Sequence, residues 1–237
     1  MNKIKLTIVI CAFNEQKFIK ENIKKLSHQV GDKKKVEIVI IDNDSVDNTY
    51  EIAKKYIEEN SLKNIRLFSI EHCHLTGSRN FGLQVSNGEF ISFIDADGFV
   101  FDNWYSTLDF NISKDFDVFC GSVAIDPKSS YFSKGIFYSH FLPSLESAGA
   151  NKIIGANMSF KKDKLEELGG FYTVPSGRGD ETLVLDLLKQ KFKDLNVVTD
   201  ISNKVINTYP DKLTLWLFQQ FEEGRSDRGS SKFLRHK

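Results

Sequence analysis

Four short apolar runs, each closed by a polar cluster, constrain this chain more than any other feature. Residues 6 to 13 read Leu-Thr-Ile-Val-Ile-Cys-Ala-Phe, 36 to 41 Val-Glu-Ile-Val-Ile-Ile, 65 to 70 Ile-Arg-Leu-Phe-Ser-Ile, and 89 to 94 Glu-Phe-Ile-Ser-Phe-Ile. Short runs rich in β-branched and aromatic residues suit strands buried on both faces. Between them the apolar period changes. Ile19, Ile23, Leu26 and Val30 recur at helical spacing, and Val46, Ile52, Ala53, Tyr56 and Ile57 supply the inner face of a second helix. Thr76 is placed to cap a third, short helix running to about Ser86. Alternating strand and helix signals predict an α/β fold with a mostly parallel sheet and helices on both faces. In such sheets ligands bind outside the carboxyl ends of the strands.

The second half is less regular. Strands are expected over residues 117 to 125 and 153 to 160, and short helices over 162 to 168 and 181 to 190, the last with Leu183, Leu187 and Leu188 on one face. A further helix is expected from about Leu213 to Glu223, and residues 126 to 150 read as a loop or short helices over the site. No repeat and no Pro/Gly/Ser-rich linker divides the chain. The expected organisation is one domain over 1–224, with halves 1–100 and 101–224, and a basic tail over 225–237.

Composition removes several function classes. The 32 basic and 32 acidic residues cancel, so no overall basic excess recommends a nucleic-acid partner. No apolar run is long enough to span a bilayer, and the lysine-bearing N-terminus lacks the cleavage pattern of a signal peptide. Cys11, Cys73 and Cys120 are odd in number and widely spaced, which reads as three reduced thiols in a cytoplasmic protein. The sequons at Asn43, Asn111 and Asn157 are read as chance.

Polar clusters follow all four strands: Ala12-Phe13-Asn14-Glu15, Asp42-Asn43-Asp44-Ser45, Gly77-Ser78-Arg79-Asn80-Phe81-Gly82, and Asp95-Ala96-Asp97. Each alone also fits a cap or a turn. Asp95 and Asp97 interrupt an apolar run, where two carboxylates repel and lose solvation; a divalent cation relieves both costs, and Asp-x-Asp-Gly is equally good turn chemistry. The glycine spacing at Gly77–Gly82 is not a P-loop, because Leu83 and Gln84 stand where Lys and Ser/Thr are required. Arg79 is placed to meet an anion, or to pair with a nearby carboxylate. Asp180-Glu181 opens a helix, where acids suit the dipole; a general base delivered onto the sheet edge is the functional alternative. His72, Cys73 and His74 lack recognisable further metal ligands.

Taken in order, these pieces resemble the family-two glycosyltransferases of the GT-A fold. The resemblance rests on Ile8–Glu15, Ile40–Thr49, Gly77–Gly82, Phe93–Asp97, Gly169-Gly170-Phe171 and Gly179–Thr182, with Gly224-Arg225-Ser226 near the end. It implies that Ala12, Phe13, Asn14 and Glu15 line the nucleotide, and that Asp42 accepts a hydrogen bond from the base, with Asp44 on the same rim. It implies that Arg79 contacts the nucleotide or its diphosphate, and that Asn80 helps hold the loop. Asp95 would touch ribose or metal-bound water, and Asp97 would be the principal ligand of Mn²⁺ or Mg²⁺. The acid pair would supply the base, with Glu181 at the aligned position and Asp180 as the alternative.

The chain departs from that pattern in three places. The acid pair is Asp then Glu rather than Glu then Asp. Val205–Tyr209 lacks the metal-binding histidine of some relatives, where Asn207 or water could substitute. The Gln-x-x-Arg-Trp motif of processive synthases is missing. The resemblance therefore implies non-processive, inverting transfer of one sugar, from a nucleotide-diphospho-sugar (a UDP-sugar favoured, as Asp42 suits uracil, though a carboxylate also accepts from guanine) to a saccharide or lipid-linked hydroxyl. The rivals are a non-catalytic nucleotide-sugar-binding subunit and a sugar-1-phosphate nucleotidyltransferase; the latter resembles a glycine-rich first loop that this chain does not have. Arg225, Arg228, Lys232, Arg235 and Lys237 add a candidate peripheral contact with anionic lipid.

Overall fold

The computed structural model describes residues 3–30, 35–141, 153–173, 180–217 and 221. The first half folds as alternating units: β1 (Leu6–Ala12), α1 (Ile19–Val30), β2 (Val36–Asp42), α2 (Thr49–Glu59), β3 (Ile65–Ser69), α3 (Leu75–Val85) and β4 (Phe90–Asp95). The second half adds β5 (Phe99–Val100), α4 (Trp104–Ser113), β6 (Val118–Ile125), α5 (Tyr131–Ile136) with a π-helical turn (Phe137–Phe141), β7 (Asn157–Lys161), α6 (Lys162–Leu168), α7 (Asp180–Lys191) and β8 (Val197–Asn207).

All strands join one sheet in the order β3-β2-β1-β4-β7-β6-β8-β5. β3, β2, β1 and β4 are mutually parallel, and β7 pairs antiparallel with both β4 and β6. Chain order reverses between β1 and β4, so a crevice opens at their carboxyl ends. Alternation along β1 explains the layers. Leu6, Ile8 and Ile10 pack with Ile19, Ile23 and Leu26 of α1, whereas Val9 faces Leu83, Leu165 and Val184 beneath α3, α6 and α7. Gly82 brings α3 close to the sheet: a Cβ there would stand 2.6 Å from Val9 Cγ1.

Several expectations need correction. α2 starts at Thr49, and Val46 lies outside it, 89% exposed, because Asp47 accepts from the Thr49 amide and closes a turn first. Thr76 is not the cap of α3. His74 holds that place, and the Thr76 hydroxyl bonds Thr173 at 2.9 Å. α7 buries Val184 and Leu185 as well as Leu183, Leu187 and Leu188, because it fills the space between α6 and the sheet rather than lying on the surface. β7 starts at Asn157, not 153. The sequence reading had no α4 and no β8: Thr199, Asp200, Ser202 and Lys204 break the apolar alternation in β8, which pairs with β6 across a register shift. Helix is present over 213–217. The rest of the helix expected to residue 223 (apart from Phe221), most of the 126–150 loop beyond Phe141, the Pro175–Gly179 segment and the basic tail lie outside the described residues.

All three sequon asparagines are buried. Asn157 accepts from the Trp104 indole at 2.9 Å and donates to the carbonyls of Ser122 and Asn203; Asn111 donates to Asp200, and Asn43 to the Cys73 carbonyl. Cys11, Cys73 and Cys120 are free thiols. Among the described residues no helix is long and apolar enough to cross a membrane.

Candidate active site

Two loops close the carboxyl ends of β1 and β2 and lace together. The Asn14 amide donates to Ser45 Oγ at 2.9 Å, the Val46 amide to Asn14 Oδ1 at 2.9 Å, and the Glu15 amide to Thr49 Oγ1 at 2.7 Å. Asn14 and Asp44 both take positive φ, 60° and 61°, a conformation that Asn and Asp tolerate better than most residues. Asp44 is exposed at this turn, and Ala12 is buried, its carbonyl accepting from the Asn43 amide.

Beside this lacing lies a pocket of about 240 Å³ lined by Cys11, Ala12, Phe13, Asn43, His72, Cys73, Leu75 and Ser78. The Phe13 and His72 rings lie 4.7 Å apart, and Asn43 fixes the far wall by accepting from the Cys73 amide at 2.9 Å. Burial pushes the Cys11 thiol up to about 12, so that wall is uncharged. Asp42 is buried. Its Oδ2 accepts from the Ser45 amide at 3.2 Å, whereas Oδ1 has no partner. A buried acceptor left unmade is costly.

At the end of β4, Asp97 accepts from Thr208 Oγ1 at 2.5 Å. Asp95 is raised to about 6, first by burial, which Arg79 opposes, and then by Asp97 and Asp180, with a hydrogen bond from Asn207 acting in the opposite direction. Glu15 is raised to about 7, first by burial and then by Asp97, Asp47 and Asp95, so it faces the same acidic pair. Asn207 Oδ1 is buried without a partner. Asp95 and Glu15, both held above the usual carboxylate range beside an orphaned amide oxygen, fit a hard divalent cation. Among the described residues no three His, Cys, Asp or Glu side chains already form a metal cage, so most of the coordination would come from ligand and water.

Glu181 stands at the start of α7, raised to about 7 by burial and then by Asp180, with Arg79 lowering it. Asp180 is buried, 1% exposed, and pairs with Arg79 Nη1 at 2.5 Å. Arg79 itself is turned inward, 3% exposed, and its Nη2 lies 4.0 Å from Asp95. Asn80 clamps a turn away from the pocket: it accepts from the Phe171 amide at 2.7 Å and donates to the Phe171 carbonyl at 2.9 Å. Gly170, at φ 88°, leaves the room this needs, since a Cβ would meet Asn80 Oδ1 at 2.5 Å.

The structure thus gathers Ala12 and Phe13 at the pocket, with Asp42 at the end of β2, and Glu15, Asp95 and Asp97 at the next strand. Sequence reasoning passed over Asn43, Ser78 and Thr208 as site residues. It weighed His72 and Cys73 only as metal ligands. Their one signal was position, directly after β3.

The mixed α/β sheet, with a pocket over the carboxyl ends of β1, β2 and β3 and an acidic pair at the end of the adjoining β4, matches the GT-A glycosyltransferase fold. The chain belongs to glycosyl transferase family 2, whose sequence profile matches residues 7–169. It is 35% identical over 97 residues to the cholesterol galactosyltransferase of Borreliella burgdorferi, covering 41% of this chain and 26% of that enzyme. It is 31% identical over 97 residues to the Staphylococcus aureus poly(ribitol-phosphate) beta-N-acetylglucosaminyltransferase TarS, covering 41% and 17%. Among solved structures, the mannosyltransferase PcManGT of Pyrobaculum calidifontis, in complex with GDP-Man and Mn²⁺, matches 98% of this chain and 64% of its own, with TM-score 0.76 and 18% identity. TarS residues 1–349 with UDP-GlcNAc match 83% and 56%, with TM-score 0.63 and 19% identity. The curated relatives are thus several times longer than the segment they share with this chain.

Proposed function

We propose that the chain is a metal-dependent glycosyltransferase that moves one sugar from a nucleotide-diphospho-sugar to a hydroxyl acceptor, with inversion, in polysaccharide or glycoconjugate synthesis. The observation that carries the reading is the placement, along one sheet edge, of an aromatic-walled pocket, the Asp95–Asp97 pair and a half-buried Glu181. The base enters between Phe13 and the β3–α3 turn, and Asp42 Oδ1 accepts its ring N–H. The second Asp42 oxygen is committed to Ser45, and the free one suits a ring N–H; that of uracil fits and supports a UDP-sugar, while guanine and thymine offer a ring N–H as well. Asp97, with Asp95 beside it, would hold Mn²⁺ or Mg²⁺, which neutralises charge on the departing diphosphate. Asn207 Oδ1 supports that assignment as a further oxygen ligand.

Glu181 takes the proton of the acceptor hydroxyl. The acceptor oxygen then forms its bond to the anomeric carbon as the bond to the diphosphate oxygen breaks. One direct displacement inverts that carbon. A carboxylate raised to about 7 is matched to proton transfer near neutrality.

The reading places the chain in the cytoplasm, supported by three free thiols, with a saccharide or lipid-linked acceptor and no nucleic acid. Peripheral contact with anionic lipid through residues 225–237 is supported by their five Lys/Arg against one Asp, and by exposed Leu213, Leu217 and Phe221 just before them. Flotation on phosphatidylglycerol vesicles, unchanged on truncation after Gly224, removes that contact.

Calorimetric titration with UDP, GDP, CDP and dTDP, with and without Mn²⁺, tests the donor site. The expected result is Mn²⁺-dependent binding, with UDP preferred, that is lost in Asp97→Ala. Binding without nucleotide diphosphate release from any UDP-sugar and acceptor would make the chain a binding subunit. A retained anomer in product NMR would refute inversion.

A further inference from the structure

Arg79 is engaged from four directions. Its Nη1 meets Asp180 at 2.5 Å, Nη2 lies 3.4 Å from the Gly155 carbonyl and 4.0 Å from Asp95 Oδ1, and its guanidinium carbon stands 5.7 Å from the Phe171 ring centre. These partners come from the start of α7, the segment before β7, the end of β4 and the turn after α6. Burial alone would discourage the charge, but Asp180, Asp95 and Glu181 more than offset it, so the guanidinium stays ionised. Little of it is left to face a ligand, since the side chain is 4% exposed.

We propose that Arg79 and Asp180 are positioning residues: their bridge seats the start of α7 on the sheet edge, holds the Glu181 carboxylate over the reaction site, and withholds Asp180 from acid–base work. The Asp180 side chain also hydrogen-bonds Glu181, so the bridge holds both carboxylates together at the start of α7. Gly155 leaves the space this needs: a Cβ there would stand 2.9 Å from Arg79 Nη2 and 3.6 Å from Glu181 Oε2. A guanidinium can serve a carboxylate, a carbonyl and a second carboxylate from one rigid fork, which an ammonium at the same place cannot. The reversed order of the acid pair then has a physical meaning. The shorter side chain suits the fixed internal partner, and the longer one extends past it beside Gly155.

The inference rests on the reading of Glu181 as base, and the test separates the two. Turnover, and UDP or GDP affinity with Mn²⁺, are measured for wild type, Arg79→Lys, Asp180→Asn, Glu181→Gln and the double change Arg79→Met with Asp180→Leu. Misplacing a reacting group costs about tenfold to a hundredfold, so Arg79→Lys and Asp180→Asn should lose that much kcat while nucleotide Kd stays within about twofold. The apolar double variant removes both halves of the buried bridge, so its thermal midpoint should fall less than that of either single variant, and it should still turn over slowly. It decides the matter if either single variant fails to fold. Parallel loss of Kd and kcat in Arg79→Lys would make Arg79 a donor ligand and overturn the proposal. Full kcat in Asp180→Asn or in the apolar pair would reduce the bridge to packing and also overturn it. An active Glu181→Gln would instead sink the underlying assignment of the base.

Discussion

The two sides of the sheet edge are built by different means. On the proposed donor side, the loops after β1 and β2 are joined by short polar side chains that bond backbone amides, as Asn14, Ser45 and Thr49 do. On the proposed acceptor side, beside the apolar packing of α7, the start of that helix is joined to α3 by one buried ion pair, Arg79 to Asp180, 101 positions apart. Several neutral hydrogen bonds share a load, and losing one costs about 1 kcal/mol. A buried ion pair concentrates it, and removing one partner costs about 3–5 kcal/mol. The donor side should therefore tolerate single changes in its lacing, while the acceptor side should fail abruptly.

The largest effect is expected where the donor side carries charge rather than lacing. Asp97→Ala should lower kcat/KM by about a thousandfold and abolish the response to Mn²⁺, because several kcal/mol of charge stabilisation leave with the cation. Activity that ignores both the mutation and the metal would break the comparison at its first term. Next comes Glu181→Gln. Loss of a general base costs about a hundredfold or more in kcat, and donor affinity should not move. A KM effect without a kcat effect would move Glu181 to the donor side.

Asp42→Asn should weaken nucleotide binding by about tenfold, the scale of one hydrogen bond to a charged group, with kcat at saturation unchanged. Equal affinity in the variant would show that Oδ1 meets no base. The smallest effect concerns pH. Glu15, Asp95 and Glu181 are held above their ordinary values, to about 7, 6 and 7, so the folded chain binds more protons there than the unfolded chain. The stability they contribute is present below about pH 4 and declines as pH rises toward 7. Glu37, Asp47 and Asp200 are lowered, and their contribution is present above the ordinary carboxylate range and lost on acidification. Metal-free protein should thus melt at a lower temperature at pH 7.5 than at pH 5.5. Mn²⁺ should raise the midpoint more at the higher pH. The reverse pattern would show that the acidic cluster is not the binding site.

The same contrast explains what could be read in advance. β1, β2 and β4 were legible because strands buried on both faces leave unbroken apolar runs, and their polar ends mark the crevice. The polar clusters follow those ends directly, so Asp42, Asp95 and Asp97 stood out by position, and the family resemblance supplied the role expected of each. Arg79 could be named but not oriented, because its partner lies far along the chain and no local pattern announces it. β8 escaped because its polar centre hides the alternation, and with it went Thr208, which donates to Asp97 from just beyond the strand. Asn207 was noticed only as the place of a missing histidine; its unpartnered oxygen is a property of the folded edge.

The burial of Asn43, Asn111 and Asn157 has a practical consequence. Each begins an Asn-x-Ser acceptor sequence, yet each amide is spent inside the fold. Once folded, the chain offers none of them to a glycan-attaching enzyme. During secretion by a eukaryotic host, attachment would compete with folding, and a sugar on Asn157 would occupy the place that the Trp104 indole must reach. Bulk produced by that route would divide into unmodified native protein and modified chains unable to close their sheet, so a host that synthesises it away from such enzymes is the sound choice.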